Sequence, residues 1–280
     1  MKIIFAIPHF YRRVEKGAIG STTSSPEQRA AYLGRCVTSL RQTFGTGQGL
    51  VDSGGPPRRS NGALAAEVHI VLCTSGPDHL AASLPPGLVQ RFESKGPPAE
   101  LGFACHRILR SVLGRFDYYC FLEDDIEITD ALFFRKLAWF SQCFGNDALL
   151  QPNRFERSAA GPLFKLYLDG NTRDPDLSLP YQDIAVRPKL SASGFGGEWL
   201  FQRVRNPHCG GFFLNQEQMA VLAKKGDFGR YTAEFISPLE SAATLPVMRH
   251  FRVYKPAREN AAFLELRHLG QRFLRPRPAS

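Results

Sequence analysis

Asp117-Tyr118-Tyr119-Cys120-Phe121-Leu122-Glu123-Asp124-Asp125 sets six largely apolar residues directly against three carboxylates. A short apolar run of that length fits a buried strand, and the acids then stand at its carboxyl end. Three adjacent carboxylates repel one another, and their desolvation is costly unless a cation or hydrogen-bond donors compensate. Hard divalent cations such as Mg2+ or Mn2+ take carboxylate and phosphate oxygens together, so one of them can bridge such acids to a nucleotide diphosphate. A plainer reading has the acids starting a loop and capping the next helix, a job that ordinarily uses one acid.

Residues 2–7 form a second apolar run, ended by Pro8. Beyond a polar stretch, Ser25-Pro26-Glu27-Gln28 reads as a helix start, and apolar residues at 33, 36, 37, 40 and 44 carry the period to Phe44. Gly45 to Gly62 contains six Gly and two Pro without periodicity and is expected to be a flexible loop. Its Gly45-Thr46-Gly47-Gln48-Gly49 lacks the Gly-Lys-Ser/Thr that a phosphate loop needs. A third apolar run occupies 68–73, an irregular stretch 76–98, and a helical pattern about 99–114. After the acids, Thr129 or Asp130 caps a helix with apolar residues at 132, 133, 137, 140 and 144. Strands alternating with helices predict an α/β fold with a mostly parallel sheet flanked by helices. Ligands bind beyond the carboxyl ends of such strands. From Gln151 to Asn206 the pattern loosens into loops and short strands, before a strand at 209–215 and a helix at about 216–224.

The chain has 280 residues, and its 22 Phe, 8 Tyr and 2 Trp carry more apolar surface than disordered chains do. No window approaches a membrane-spanning length, and the apolar run before Pro8 is too short for a secretory signal, so cytoplasmic residence is the expectation. Six cysteines without C-x-x-C spacing predict core thiols, with neither structural zinc nor disulfides. The net charge is +9, and Arg249 to Ser280 holds eight Arg/Lys against two Glu. Such a tail suits a phosphate-rich substrate, nucleic acid or peripheral contact with an anionic membrane, or it is a solvated carboxy-terminal helix.

From strand 2–7 to Phe121-Leu122-Glu123-Asp124-Asp125, residues 1–145 resemble the nucleotide-sugar-binding half of a GT-A-fold (Rossmann-like) glycosyltransferase. Glu123-Asp124-Asp125 stands where that family has its D-x-D motif. The resemblance implies one GT-A-like domain, 1–280, with an acceptor-side half from 146 onward. It implies that Asp125 holds Mn2+ or Mg2+, that Glu123 or Asp124 faces the ribose or the outer metal shell, and that Pro8, His9 and Tyr11 shape the nucleotide pocket. Thr74, Ser75 and Asp78 are candidates for contacting the base. Gly210-Gly211 resembles the Gly-rich strand that meets donor and acceptor. Glu240 and Glu234 are candidates for the general base, Glu240 preferred because Pro238-Leu239-Glu240 opens a helix. His268 is preferred to His250 as a further metal ligand, with Arg267 and Arg272 available to offset charge on the leaving nucleotide.

The implied activity is metal-dependent transfer of a sugar from a nucleoside diphosphate to a hydroxyl acceptor, saccharide or lipid-linked, in surface polysaccharide or glycolipid synthesis, with no nucleic-acid partner. Two other classes compete. A sugar-phosphate nucleotidyltransferase needs a Gly-rich amino-terminal signature with a basic residue, which Ala6-Ile7-Pro8-His9 lacks. A basic binding module leaves the acid triplet without a role.

Overall fold

A computed structural model describes residues 1–13, 24–158, 163–170, 174 and 177–274. In chain order the elements are β1 (Lys2–Pro8), α1 (Pro26–Phe44), β2 (Gly49–Leu50), β3 (Arg58–Arg59), β4 (Glu67–Thr74), β5 (Gln90–Glu93), α2 (Leu101–Ser111) and β6 (Tyr118–Leu122). They continue with β7 (Ile126–Glu127), α3 (Phe133–Phe144), β8 (Ala148–Leu150), β9 (Asn153–Arg157), β10 (Lys165–Tyr167), β11 (Lys189–Gly194) and β12 (Gly197–Gln202). The last are β13 (Gly211–Asn215), α4 (Gln216–Ala223), α5 (Pro238–His250), β14 (Arg252–Pro256) and β15 (Glu265–His268).

The fold is α/β. Its largest sheet runs β13-β6-β1-β4-β5, with β1 parallel to both β4 and β6, β5 parallel to β4, and β13 antiparallel to β6. Alternation along β1 shows why its run is apolar throughout. Ile3, Phe5 and Ile7 pack with Leu33, Val37 and Leu40 of α1 and with α3, whereas Ile4 and Ala6 pack with Leu101, Phe103 and Leu109 of α2 and with α4 and α5. A strand covered on both faces has no solvent side to make polar. Smaller sheets, β10-β9-β15-β7 and β11-β12-β14-β8, extend from the carboxyl-end side and join the same cores through Leu266, Tyr254 and Phe201.

Ser25 caps α1 by accepting from the Gln28 N–H at 3.2 Å, as its sequence indicates. Elsewhere the structure corrects the expectation. The glycine-rich 45–62 segment carries the short β2–β3 ribbon, and the 76–98 stretch contains β5, whose four residues are all exposed. The helix expected over 99–114 ends at Ser111. The tail is not a solvated helix: residues 252–256 and 265–268 are strands, and Arg249, Arg252, Lys255 and Arg267 are all in ion pairs with acids of the fold. Residues 275–280, with Arg275 and Arg277, lie outside the described residues. Five of the six cysteines are buried, and Cys143 is exposed. Among the described residues no helix is long and apolar enough to cross a membrane.

Candidate functional site

Asp124, the middle acid, ties three elements together. Its Oδ2 lies 2.5 Å from Nδ1 of His9, just past β1, and its Oδ1 accepts from Arg29 of α1 at 2.5 Å. The Leu80 amide donates to His9 Nε2 at 2.9 Å, which leaves the ring proton on Nδ1, facing Asp124. Burial works against ionising Asp124, but the Arg29 charge and the His9 hydrogen bond overcome it and hold the carboxyl below the usual range. Arg29 also donates to Asp125 Oδ2 at 3.2 Å. Both oxygens of Asp124 are therefore engaged within the protein.

The flanking acids keep free atoms. Glu123 Oε1 and Asp125 Oδ1 are buried without a hydrogen-bond partner. Glu123 Oε2 is 3.7 Å from Arg154 of β9, and Oε1 is 3.7 Å from His208 Nε2. Burial pushes the Glu123 carboxyl well above its ordinary range, Arg154 opposing and Asp125, Glu240 and Asp124 adding to the rise. Arg154 is braced by Asp169 at 3.1 Å, which also meets Lys255 at 3.1 Å, and Lys255 donates to the His208 carbonyl at 2.5 Å. Burial keeps His208 neutral, its pKa well below normal, and its Nδ1 lies 2.9 Å from Thr244 Oγ1 in α5.

Gly210 and Gly211 seat β13 against the acids. The Gly210 carbonyl accepts from the Glu123 amide at 2.8 Å, and Gly210 adopts φ +75°. A Cβ at Gly210 would come within 3.2 Å of Glu123 Oε2, and one at Gly211 within 2.4 Å of the Phe121 carbonyl oxygen. Only glycine allows this approach.

On the other side of the triplet, His268 ends β15 with Nε2 3.7 Å from Asp125 Oδ2, while its Nδ1 lies 2.8 Å from Glu156. A carboxylate on the far ring nitrogen is the arrangement that orients a ligating histidine. Among the described residues no three His, Cys, Asp or Glu side chains converge on one metal position. Asp125, with its orphaned Oδ1, and His268 offer two ligands, which suits a hard cation that draws its remaining oxygens from phosphate and water.

Glu240 sits in the first turn of α5 behind Pro238, and the Ser237 hydroxyl donates to its carboxylate. Burial raises its pKa, Arg154 opposing and Asp125 adding. Thr244, one turn further along α5, meets His208, whose other ring nitrogen lies 3.7 Å from Glu123, so this helix runs past the triplet. Glu234 is elsewhere: it is exposed, accepting from Arg249 at 2.5 Å and Tyr181 at 3.0 Å. His250 pairs with Asp227 at 3.0 Å, away from the acids. Pro8 pairs in register with Cys73, and the Tyr11 hydroxyl is spent on the Ser24 carbonyl. Asp78 is paired with Arg12 and Ser75 donates to the Gly96 carbonyl, but Thr74 Oγ1 is buried and unpartnered at the end of β4. Arg267 is 3.0 Å from Glu127.

No family model and no curated protein matches the sequence. Among solved structures the chain is similar to S. aureus TarS, with 10% identity, a TM-score of 0.44, and coverage of 91% of this chain and 35% of that one. It is also similar to residues 1–349 of S. aureus TarS in complex with UDP-GlcNAc, with 11% identity, a TM-score of 0.42, and coverage of 91% and 56%. The chain thus spans less than two thirds of either.

Arg29, Arg154, Glu156, Asp169, Lys255 and His208 belong to this centre and were not singled out from sequence. Arg29 carried a signal: a cation in the first turns of a helix opposes the helix dipole and needs an acid from elsewhere. Lys255 carried another, as a charge set between Val253-Tyr254 and Pro256 in a short strand.

Proposed function

We propose that this protein is a glycosyltransferase that moves a sugar from a nucleoside diphosphate donor to a hydroxyl acceptor. The observation that carries the reading is the pair of buried, unpartnered carboxylate oxygens, Glu123 Oε1 and Asp125 Oδ1, at the carboxyl end of a parallel strand. A buried carboxylate oxygen without a partner is costly unless a ligand completes it. Asp125 and His268 would hold Mg2+ or Mn2+, which offsets the charge of a departing diphosphate.

The protein's own groups divide the remaining work. Arg29 and His9 fix Asp124, and through it the register of β1, β6 and α1 around the donor. Glu123, between Arg154 and His208, meets a polar group of the donor. Glu240 takes the proton from the acceptor hydroxyl, its elevated pKa bringing it toward a general base matched to neutral pH. The Ser237 hydroxyl and the amino end of α5 orient that carboxylate.

Calorimetric titration with UDP, with and without Mn2+, tests the reading. Wild type is expected to bind UDP far more tightly with Mn2+, and Asp125→Asn to lose that dependence while keeping its circular dichroism spectrum. UDP affinity unaffected by Mn2+, or a variant that responds like wild type, would remove the metal-assisted donor site.

A further inference from the structure

A cavity of about 520 Å3 lies between the amino end of α3, the β11–β12 hairpin and the turn Arg258–Phe263. Leu132 and Lys136 line it from α3, Phe195 and Trp199 from the hairpin, and Glu259 and Phe263 from the turn. It shares no residue with the acid centre. Its aromatic wall is continuous: the Trp199 and Phe263 rings are 4.6 Å apart, and Phe195 meets Phe263 edge-on at 5.9 Å. Trp139 backs the wall, 5.6 Å from Phe195 and 5.5 Å from Phe263. Hydrogen bonds hold these rings in place. Trp199 Nε1 donates to the Gly194 carbonyl at 2.6 Å, and the Asn260 amide both donates to and accepts from the Leu200 backbone at 3.0 Å.

The hairpin tip is built at a cost. Gly194 pairs with Gly197, which leaves a two-residue loop, Phe195-Gly196, with φ +47° and +78°. Positive φ at both positions is the geometry that Asn-Gly or Asp-Gly adopts most readily. A phenylalanine is strained there, and the residue is still 40% exposed, so full burial is not what keeps it. What it provides is an aromatic surface on the cavity.

The polar groups define the occupant. Lys136 Nζ lies 5.2 Å from the Phe263 ring centre, its side chain is 16% exposed, and one of its three donors is taken by Asp130 at 2.6 Å. Glu259 is exposed at the rim. A hydrocarbon chain would strip water from Lys136 and replace it with nothing, a cation would meet Lys136, and an anion would meet Asp130 and Glu259. A sugar ring meets each demand. Its hydroxyls donate to Glu259 and accept from Lys136, and its C–H face packs on rings whose faces are electron-rich.

We propose that this cavity binds a saccharide, holding a sugar ring against Phe195 and Trp199 with its hydroxyls on Lys136 and Glu259. The site stands apart from the transfer reaction and needs neither the metal nor the nucleotide.

Trp139 and Trp199 are the chain's two tryptophans, so intrinsic fluorescence reports on this wall. Full-length protein is titrated with cellobiose, maltose and diacetylchitobiose, and with octanoate as a hydrocarbon anion. At least one disaccharide is expected to shift the emission saturably with a Kd below about 10 mM, and more tightly than octanoate. Phe195→Asn, which suits the turn, and Lys136→Gln are each expected to weaken that binding at least about tenfold, with the circular dichroism spectrum and UDP affinity unchanged. Leu113→Ser, at an exposed apolar residue elsewhere, should bind the sugar as wild type does. No response to any disaccharide, tighter binding of octanoate than of all three, or wild-type sugar affinity in either cavity variant would overturn the proposal. Failure of UDP to bind would strike the donor site and leave the result at this cavity standing.

Discussion

Glu240 and Glu123 meet the same obstacle, ionisation inside a centre already crowded with carboxylates, and the consequences differ with the neighbours. For Glu240, a raised pKa means that the proton-accepting form appears only above the ordinary carboxylate range, so transfer rate should climb with pH there. Glu240→Gln should lower transfer by about 10²–10⁴-fold with UDP affinity retained; equal loss from Glu234→Gln, whose carboxylate is bound to Arg249, would move the base elsewhere. For Glu123 the linkage concerns stability. Its folded pKa lies above its unfolded value, so the unfolded chain releases this proton first as pH rises. Stability attached to protonated Glu123 is complete below the unfolded value and is lost as pH climbs through the folded one. Glu123→Gln should therefore unfold at higher urea concentration than wild type at neutral pH, with the gap closing in acid. The acids themselves were legible in the sequence because three of them follow an apolar run. Their partners were not: Arg154, Asp169 and Lys255 come from separate strands and loops, and only the tertiary fold brings them together.

Strand β13 and the start of α5 are the elements on which the site's shape depends. Gly211→Ala would drive a Cβ into the Phe121 carbonyl, a backbone atom that cannot turn aside. It should cost about 1–3 kcal/mol, seen as a lower urea midpoint. Ile236→Gly should act the other way, relieving a left-handed isoleucine worth about 1–2 kcal/mol and raising the melting temperature. A melting temperature unchanged or lowered would show that the turn before α5 is set by Ile236 packing. Helices were readable where their apolar period was long, as in α1 and α3. β5 escaped because Gln90-Arg91-Phe92-Glu93 has no buried face to pattern it, and the hairpins of 151–206 because short strands at the rim of a core carry few apolar positions.

Across the whole molecule, one apolar cluster reaches from Ile3 to Leu266, so the two halves share their packing. Both tryptophans, Trp139 and Trp199, lie against it. Urea unfolding followed by tryptophan fluorescence should coincide with that followed by far-ultraviolet circular dichroism; separate transitions would show halves that fold independently. Arg249, Arg252 and Lys255 of the basic tail pair with Glu234, Asp147 and Asp169, which ties the tail to the body of the fold and leaves the net charge of +9 as it is. The outer edge of the large sheet has one further consequence. β5 ends the strand order and presents open backbone groups, but Arg91 and Glu93 alternate along it. A second copy adding its own strand there would have to desolvate those charges, so the edge resists the strand-by-strand growth that turns exposed sheets into aggregates.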